Sequence, residues 1–195
     1  MRRTTMLVVC TLALALCAGS AFAITTPPPD TLKVDYFSGA NTGGNPLAQL
    51  RVINPNTNNN AGICAAIYVF DSFQEMSECC SCALSPDSLR TLQVEADLTS
   101  NPLTGGPPLN TGAIKIVSTP ETSPNSGSCA FPIHLNPTAG IRAWVTHIQN
   151  NVYVTETASQ DATFSYGEQV RLQGECYAIQ LDGSKKGVCT CGVGD

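Results

Sequence analysis

Cysteine is the residue type of this chain with the most evident chemistry. The sequence holds 10 cysteines, and three of them lie within the stretch SECCSCA at residues 77–83. Cys79 and Cys82 have the C-x-x-C spacing of thiol redox centres. With Cys189 and Cys191 they would supply four thiolates, a set that zinc or an iron–sulfur cluster accepts. The same side chains also suit structural disulfides, and the compartment in which the chain folds decides among the three chemistries.

The first 23 residues have the pattern of a secretory signal peptide. Arg2 and Arg3 precede an apolar run over residues 6–16, and residues 21–23, Ala-Phe-Ala, form a small-x-small cleavage signature. The apolar run is shorter than the roughly 20 residues that a membrane-spanning helix needs. We therefore predict that the chain is exported, that it is secreted or held at the cell surface, and that it has no membrane insertion after signal cleavage.

An oxidising compartment favours disulfides over thiolate chemistry. Cys80 interrupts the thioredoxin-type C-x-x-C motif, and the paired knuckles of common zinc modules are missing from the sequence. We predict a disulfide framework without cofactor. Its eight candidate members are Cys64, Cys79, Cys80, Cys82, Cys129, Cys176, Cys189 and Cys191.

The spacing of these cysteines suggests one local pair. Gly183-Ser184 suits a two-residue type II′ hairpin loop, which would place Cys176 opposite Cys191. Opposed hairpin residues lie about 4.5–5.5 Å apart at Cα, a distance that a disulfide bridges. Cys189 would then be free to reach the cluster at 79–82.

The charge of the chain excludes two classes of partner. Removal of Arg2 and Arg3 with the signal peptide leaves 8 of the 10 basic residues against 15 acidic ones, a formal charge of −7. An acidic protein without a basic patch has no means of neutralising phosphates or binding an anionic membrane. We predict no nucleic-acid partner.

Short strands separated by turns dominate the sequence pattern. Residues 62–71, GICAAIYVFD, are almost continuously apolar, which is typical of a strand buried on both faces. Residues 89–98 and 141–149 alternate polar and apolar side chains, as half-buried strands do. We interpret 168–176, 177–181 and 187–191 as the last strands. The sequence thus predicts an all-β fold, an antiparallel β-sandwich (Ig-like or similar) stabilised by disulfides.

The chain is expected to form one domain over residues 47–195, preceded by an extended arm over residues 24–46 that is rich in Thr, Pro, Gly and Asn. Within the arm, Leu32, Val34 and Tyr36 alternate with polar residues, the pattern of a strand with one buried face. Such a strand would serve either as the first strand of its own sheet or as an assembly strand added to a neighbouring molecule.

The sequence holds no nucleophile elbow and no zinc-protease helix, so we predict no catalytic residues. Asp71, Glu75 and Glu78 flank the cysteine cluster in a stretch with the potential for a short helical turn, and they are weak candidates for calcium ligands. His147 shares a strand face with apolar residues, so a hydrogen-bonded histidine at the edge of the core is the simplest interpretation. A site unlike the known hydrolase motifs is the alternative.

Trp144 is the only tryptophan of the chain. The alternation in IRAWVTHIQ places it on the same strand face as Arg142 and Thr146 and opposite the apolar face. Flat aromatic side chains on a solvated sheet suit sugar rings or a protein partner. A Trp covered by a loop or by the arm is the structural alternative.

The run CAAIYVFDSFQEMSECCSC, followed by LTSNPLTG, resembles uncharacterised cysteine-rich secreted proteins of environmental bacteria. The resemblance covers residues 47–117. It implies that the cysteine cluster and its flanking strand form one structural unit, and it implies no activity or ligand.

The sequence as a whole predicts a secreted, non-catalytic extracellular protein with a structural or adhesive role. Its partner would be a further copy of itself, in a homo-oligomer or filament built by β-strand addition, or extracellular polysaccharide. A carbohydrate-binding module that uses Trp144 is the alternative function, followed by a hydrolase with an unrecognised site.

Overall fold

The computed structural model describes residues 30–41, 47–55, 60–132, 136–150 and 152–192. The predicted signal peptide and residues 24–29 and 42–46 of the predicted arm lie outside the described residues.

The described residues form two antiparallel sheets. Sheet A has the strand order β4-β3-β6-β1-β9, and sheet B has the order β5-β2-β7-β8. The strands are β1 (Leu32–Ser38), β2 (Gln49–Ile53), β3 (Ile63–Phe70), β4 (Met76–Leu84), β5 (Leu89–Gln93), β6 (Thr111–Pro120), β7 (Arg142–Gln149), β8 (Tyr153–Ala158) and β9 (Gln160–Ala162). The prediction of a mostly β, sandwich-like protein with disulfides is confirmed.

The core between the two sheets is built from alternate residues of each strand. Leu50 and Val52 of β2 and Val145 of β7 meet Ile67 of β3 and Ile116 of β6 in one buried cluster. Strand β3 is buried at every residue, since sheet B covers one of its faces and a helix covers the other. The predicted burial of this strand on both faces is confirmed.

The C-terminal third contains a helix, α1 (Tyr166–Asp182), where the sequence pattern had predicted strands at 168–176 and 177–181. The helix begins at Ser165, whose side-chain oxygen accepts a hydrogen bond from the Glu168 N–H at 3.1 Å. Its Leu172, Cys176 and Ile179 are buried in a second cluster with side chains from the outer face of sheet A. That prediction was wrong, because these three positions follow a helical period and not a strand period.

The predicted strand at 89–98 is also shorter than expected. β5 ends at Gln93, and residues Val94–Leu98 form a π-helical turn with Val94 and Leu98 buried. Asp97 Oδ2 accepts a hydrogen bond from the Gln93 N–H at 2.7 Å, which holds this turn. The short helical turn considered for residues 71–78 is a bend at 72–74, and strand β4 begins directly afterwards at Met76.

Residues 187–192, here called the closing segment, cover one flank of the sandwich. The Cys79 N–H of β4 donates to the Gly187 carbonyl at 2.8 Å, and Arg90 of β5 donates to the Cys191 carbonyl at 2.7 Å. Gly187 has φ +74°, and a Cβ there would lie 2.5 Å from Ile179, so glycine is required at this turn. The segment therefore joins the edge of sheet A to the edge of sheet B.

Within the described ranges, no helix has both the length and the apolar character that crossing a bilayer would take.

Candidate functional site

Strand β4 distributes the cysteine cluster to both faces of sheet A. Successive side chains of a strand point to opposite faces, so Cys79 points toward α1 while Cys80 and Cys82 point toward the core between the sheets. The eight cysteines of the described residues form four disulfides: Cys64–Cys129, Cys79–Cys176, Cys80–Cys189 and Cys82–Cys191. The cluster is thus the attachment point for both the helix and the closing segment.

Of the two disulfide predictions made from the cysteine spacing, the pair Cys176–Cys191 was wrong. Cys176 does not pair with Cys191, because the residues around it are helical and no hairpin forms at Gly183-Ser184. Gly183 instead ends the helix, and its N–H donates to the Ile179 carbonyl at 2.9 Å. The prediction that Cys189 reaches the cluster is confirmed by its bond to Cys80.

The sulfur atoms of Cys80, Cys82 and Cys191 lie within 4.8 Å of one another. Each of the three belongs to a disulfide, whereas a metal requires the deprotonated thiolate as its ligand. This close sulfur group is therefore the stacking of two neighbouring disulfides on one face of β4.

The three calcium candidates do not meet in one place. Asp71 Oδ1 accepts hydrogen bonds from the N–H groups of Phe73 and Glu75, at 2.8 and 2.9 Å, and so holds the turn between β3 and β4. Glu75 is exposed, while Glu78 is fully buried within β4. Their different surroundings give no shared set of oxygen ligands.

Glu78 is a buried carboxyl that is only half satisfied. Its Oε1 accepts a hydrogen bond from the Asn101 N–H at 2.8 Å, and its Oε2 has no hydrogen-bond partner among the described residues. Burial raises the pKa of Glu78 to about 7, against the opposing effects of the Asn101 hydrogen bond and the charge of Lys186. The sequence showed this carboxyl only as one acid among several near the cysteines.

His147 is buried at the edge of the core, and this agrees with the simplest interpretation of its sequence position. Its Nε2 lies 2.7 Å from Thr157 Oγ1 and 3.7 Å from Asp35 Oδ1, and its ring stacks on Tyr36 with centroids 4.1 Å apart. In a hydrolase triad the hydroxyl and the carboxylate approach opposite nitrogens of the imidazole. Here both approach Nε2, so the arrangement is a packing cluster and not a triad.

Trp144 lies on the outer face of sheet B, as the alternation predicted. The inner positions Ala143 and Val145 belong to the core cluster, while Trp144 is half-buried and its neighbour Arg142 is exposed. Thr146, which the sequence placed on the same face, is buried at 6% exposure and offers little contact surface.

The sheet register places a polar side chain on one side of Trp144 and a small apolar one on the other. It pairs with Arg51 of β2 and with Ala158 of β8, and Arg51 pairs in turn with Thr91 of β5. Arg51 NH1 donates to both Glu156 carboxylate oxygens at 2.8 and 3.0 Å, and its NH2 donates to Gln49 Oε1 at 3.1 Å. We call Gln49, Arg51, Trp144 and Glu156 the Trp144 face.

The predicted assembly strand is β1 of sheet A. It pairs with β6 along its whole length and with β9 over Leu32–Val34. Leu32 is buried and Val34 packs against the second core cluster, while Tyr36 is 54% exposed. The structure therefore shows the intramolecular pairing that was weighed against strand addition.

A cleft of about 410 Å³ opens where the start of α1 meets sheet A. Lys115 and Arg171 flank the Phe70 ring at 5.3 and 5.1 Å from its centroid, and both contact Glu168, at 2.5 and 3.0 Å. Asp71, Gln74 and Ala113 complete the lining. Glu168 pairs with both cations, and Glu175 also pairs with Arg171 at 3.1 Å. The cleft is therefore a junction that fixes the helix on the sheet.

Comparison with protein-family models, with curated proteins and with solved structures gives no significant match for this chain.

Proposed function

We propose that this chain is a secreted, non-catalytic adhesive protein that binds extracellular polysaccharide through the Trp144 face. One observation carries the proposal: the half-buried Trp144 ring lies on the outer side of sheet B with Arg51 directly beside it in the register and Glu156 bonded to Arg51. An aromatic ring beside planar hydrogen-bonding groups is a suitable arrangement for a sugar ring and its hydroxyls.

The position of the face across three adjacent strands supports an extended ligand. Gln49, Arg51, Trp144 and Glu156 lie on three adjacent strands, which stand about 4.8 Å apart in a sheet. The face therefore spans roughly 10 Å across the strands, enough for the polar groups and the ring to contact successive sugars. A polymer with repeated hydroxyls fits such a surface better than a small ligand that needs an enclosing pocket.

The Arg51–Glu156 contact orients the polar groups of the face. The guanidinium bonds both carboxylate oxygens and the Gln49 amide oxygen, which reduces the rotamer freedom that these side chains would lose on binding. Arg51 and Glu156 also neutralise each other, which favours uncharged polysaccharide over a charged polymer.

The proposal also includes three predictions from the sequence. They are export through residues 1–23, an Ig-like strand arrangement and an extended arm at 24–46. We do not include assembly by donation of β1, because that strand would first have to leave its pairing with β6 and β9. The four disulfides support a role outside the cell.

Retention of the mature protein on insoluble cellulose and on chitin tests the proposal. We expect Trp144→Ala to weaken retention at least about tenfold, because the aromatic contact is lost, and Trp144→Phe to keep part of it. Phe73→Ala is the matched control, since Phe73 is an aromatic side chain with 83% exposure at the β3–β4 turn. Equal retention of Trp144→Ala and wild type, or no retention on either polysaccharide or on a glycan array, would reject the proposal.

A further inference from the structure

Helix α1 carries apolar side chains on two faces. The face that packs on sheet A is accounted for by the second core cluster. The opposite face exposes four large apolar side chains, each between 48% and 62% exposed: Tyr166, Val170, Tyr177 and Leu181. We call these four residues and Gly174 the helix stripe.

The stripe is one continuous surface. At 3.6 residues per turn, its four large side chains fall within an arc of about 60° around the helix. Residues 166 and 181 are about 22 Å apart along the axis at a rise of 1.5 Å per residue. Monomeric proteins seldom expose a contiguous apolar patch of this kind unless it is an interaction site.

The stripe is uncharged, which is compatible with a second copy of this chain as its partner. None of its five residues is charged, in a chain with a formal net charge of −5. A basic partner would find no acidic group to pair with on the stripe, whereas a second copy of this chain would meet an uncharged surface with no like-charge repulsion.

The spacing of the stripe is close to symmetric about Gly174. Val170 lies four residues before Gly174 and Tyr177 three after it, while Tyr166 lies eight before and Leu181 seven after. A two-fold axis through Gly174 would thus place Val170 of one copy against Tyr177 of the other, and Tyr166 against Leu181. Gly174 has open space where a Cβ would stand, so the two helices can approach closely at the axis.

We propose that a second copy of this chain docks on the helix stripe in antiparallel orientation, with the two-fold axis at Gly174. Since helix, sheet A and sheet B form successive layers, the stripe and the Trp144 face lie on opposite sides of the molecule. The dimer would therefore present its two Trp144 faces in opposite directions. The docking itself does not depend on what the Trp144 face binds.

Sedimentation of the mature, never-reduced protein at about 1 to 100 µM tests the docking. We expect a concentration-dependent dimer. We expect Tyr177→Glu to raise the dissociation constant of this dimer at least about tenfold, because it places a charge in the apolar contact. Phe73→Glu adds the same charge to an exposed aromatic outside the stripe and should leave dimerisation unchanged. Thermal unfolding of both variants checks that the monomer stays folded.

A pair of substitutions tests the orientation. Val170→Lys and Tyr177→Glu should each weaken the dimer alone, but together in one chain they should restore part of it, since antiparallel docking brings each Lys opposite a Glu. Parallel docking would bring like charges together and make the double variant the weakest. A wild-type protein that stays monomeric, because residues of its own chain cover the stripe, would overturn the proposal. Equal weakening by Phe73→Glu, or a double variant no better than the single ones, would also overturn it.

Discussion

The two flanks of the sandwich are closed by different means. On the β4 flank, the closing segment and α1 are attached through three disulfides, Cys79–Cys176, Cys80–Cys189 and Cys82–Cys191. On the β8 flank, every residue of β8 is exposed, and its described side-chain contacts are the Arg51–Glu156 ion pair and the hydroxyl of Thr157 on His147. Covalent closure is thus concentrated on one flank, while the side chains of the proposed binding face lie toward the other.

This difference predicts that substitutions on the β4 flank change the free energy of unfolding more than substitutions on the β8 flank. A disulfide that joins distant residues restricts the unfolded chain strongly, whereas an exposed ion pair loses most of its energy to solvent screening. Three variants measure the contrast.

Removal of the Cys79–Cys176 bond should have the largest effect. The two cysteines are 97 residues apart, but the Cys80–Cys189 bond remains and still ties the start of β4 to residue 189. The substitution therefore opens a loop of about 14 residues, whose closure contributes about 3 kcal/mol to the free energy of unfolding, and it also removes the packing of two fully buried sulfur atoms. Cys79→Ala with Cys176→Ala should lower the urea midpoint accordingly. Thr155→Ala on exposed β8 is the control and should change the free energy by less than about 0.5 kcal/mol. A loss below about 1 kcal/mol in the double variant would show that the β4 flank does not depend on its covalent bonds.

Glu78→Gln should have an intermediate, pH-dependent effect on the same flank. The pKa of Glu78 is raised from 4.5 to about 7 in the folded protein, so the fold prefers the protonated form. The wild type therefore has its full stability below about pH 4.5 and loses it as the pH rises through 7. At pH 8 the substitution should stabilise the protein by roughly 3 kcal/mol, and at pH 5 by much less.

Unfolding in urea at pH 5, 6, 7 and 8 measures this difference between the variant and the wild type. Glu75→Gln is the matched control, because Glu75 is an exposed acid three residues away. A stabilisation by Glu78→Gln that is the same at pH 5 and pH 8 would contradict the assigned shift.

Arg51→Gln should have the smallest effect, on the opposite flank. The Arg51 and Glu156 side chains are 41% and 35% exposed, and pairs of this kind contribute about 0.5 kcal/mol or less. A double-mutant cycle with Glu156→Gln at low and high salt isolates the pair energy. A coupling above about 2 kcal/mol would show that this flank is held as firmly as the other.

The sequence predicted the β4 flank less well than the rest of the fold. Strand β3 was predictable because its apolar run is uninterrupted, and the position of Trp144 because residues 141–145 alternate. The alternation fails farther along β7, where Thr146 is buried and Ile148 belongs to the core cluster. Helix α1 was missed since its exposed stripe and its buried face both carry apolar residues, which conceals the helical period. Gly167 and Gly174 lower the helix propensity further. Ser165 followed by Glu168 is the capping signature that could have revealed the helix.

The disulfide pairing could not be predicted without that helix. Cys176 reaches Cys79 only because α1 packs across the outer face of sheet A, and this packing involves residues far apart in the sequence. The environment of Glu78 was hidden for the same reason, because Asn101 and Lys186 approach it from distant segments. Local patterns determine which residues alternate along a strand, whereas such contacts depend on the tertiary arrangement.

The pairing of β4 also has a consequence for biosynthesis. The partners of Cys79, Cys80 and Cys82 follow them by 97, 109 and 109 residues, and a chain is synthesised from its N-terminus. The three cysteines of β4 therefore cannot form their native bonds before residues 176–191 have been synthesised. A chain interrupted before Cys176 keeps these thiols reactive, which marks it for disulfide exchange or degradation. The native pairing of the cysteine cluster thus depends on synthesis of the chain through Cys191.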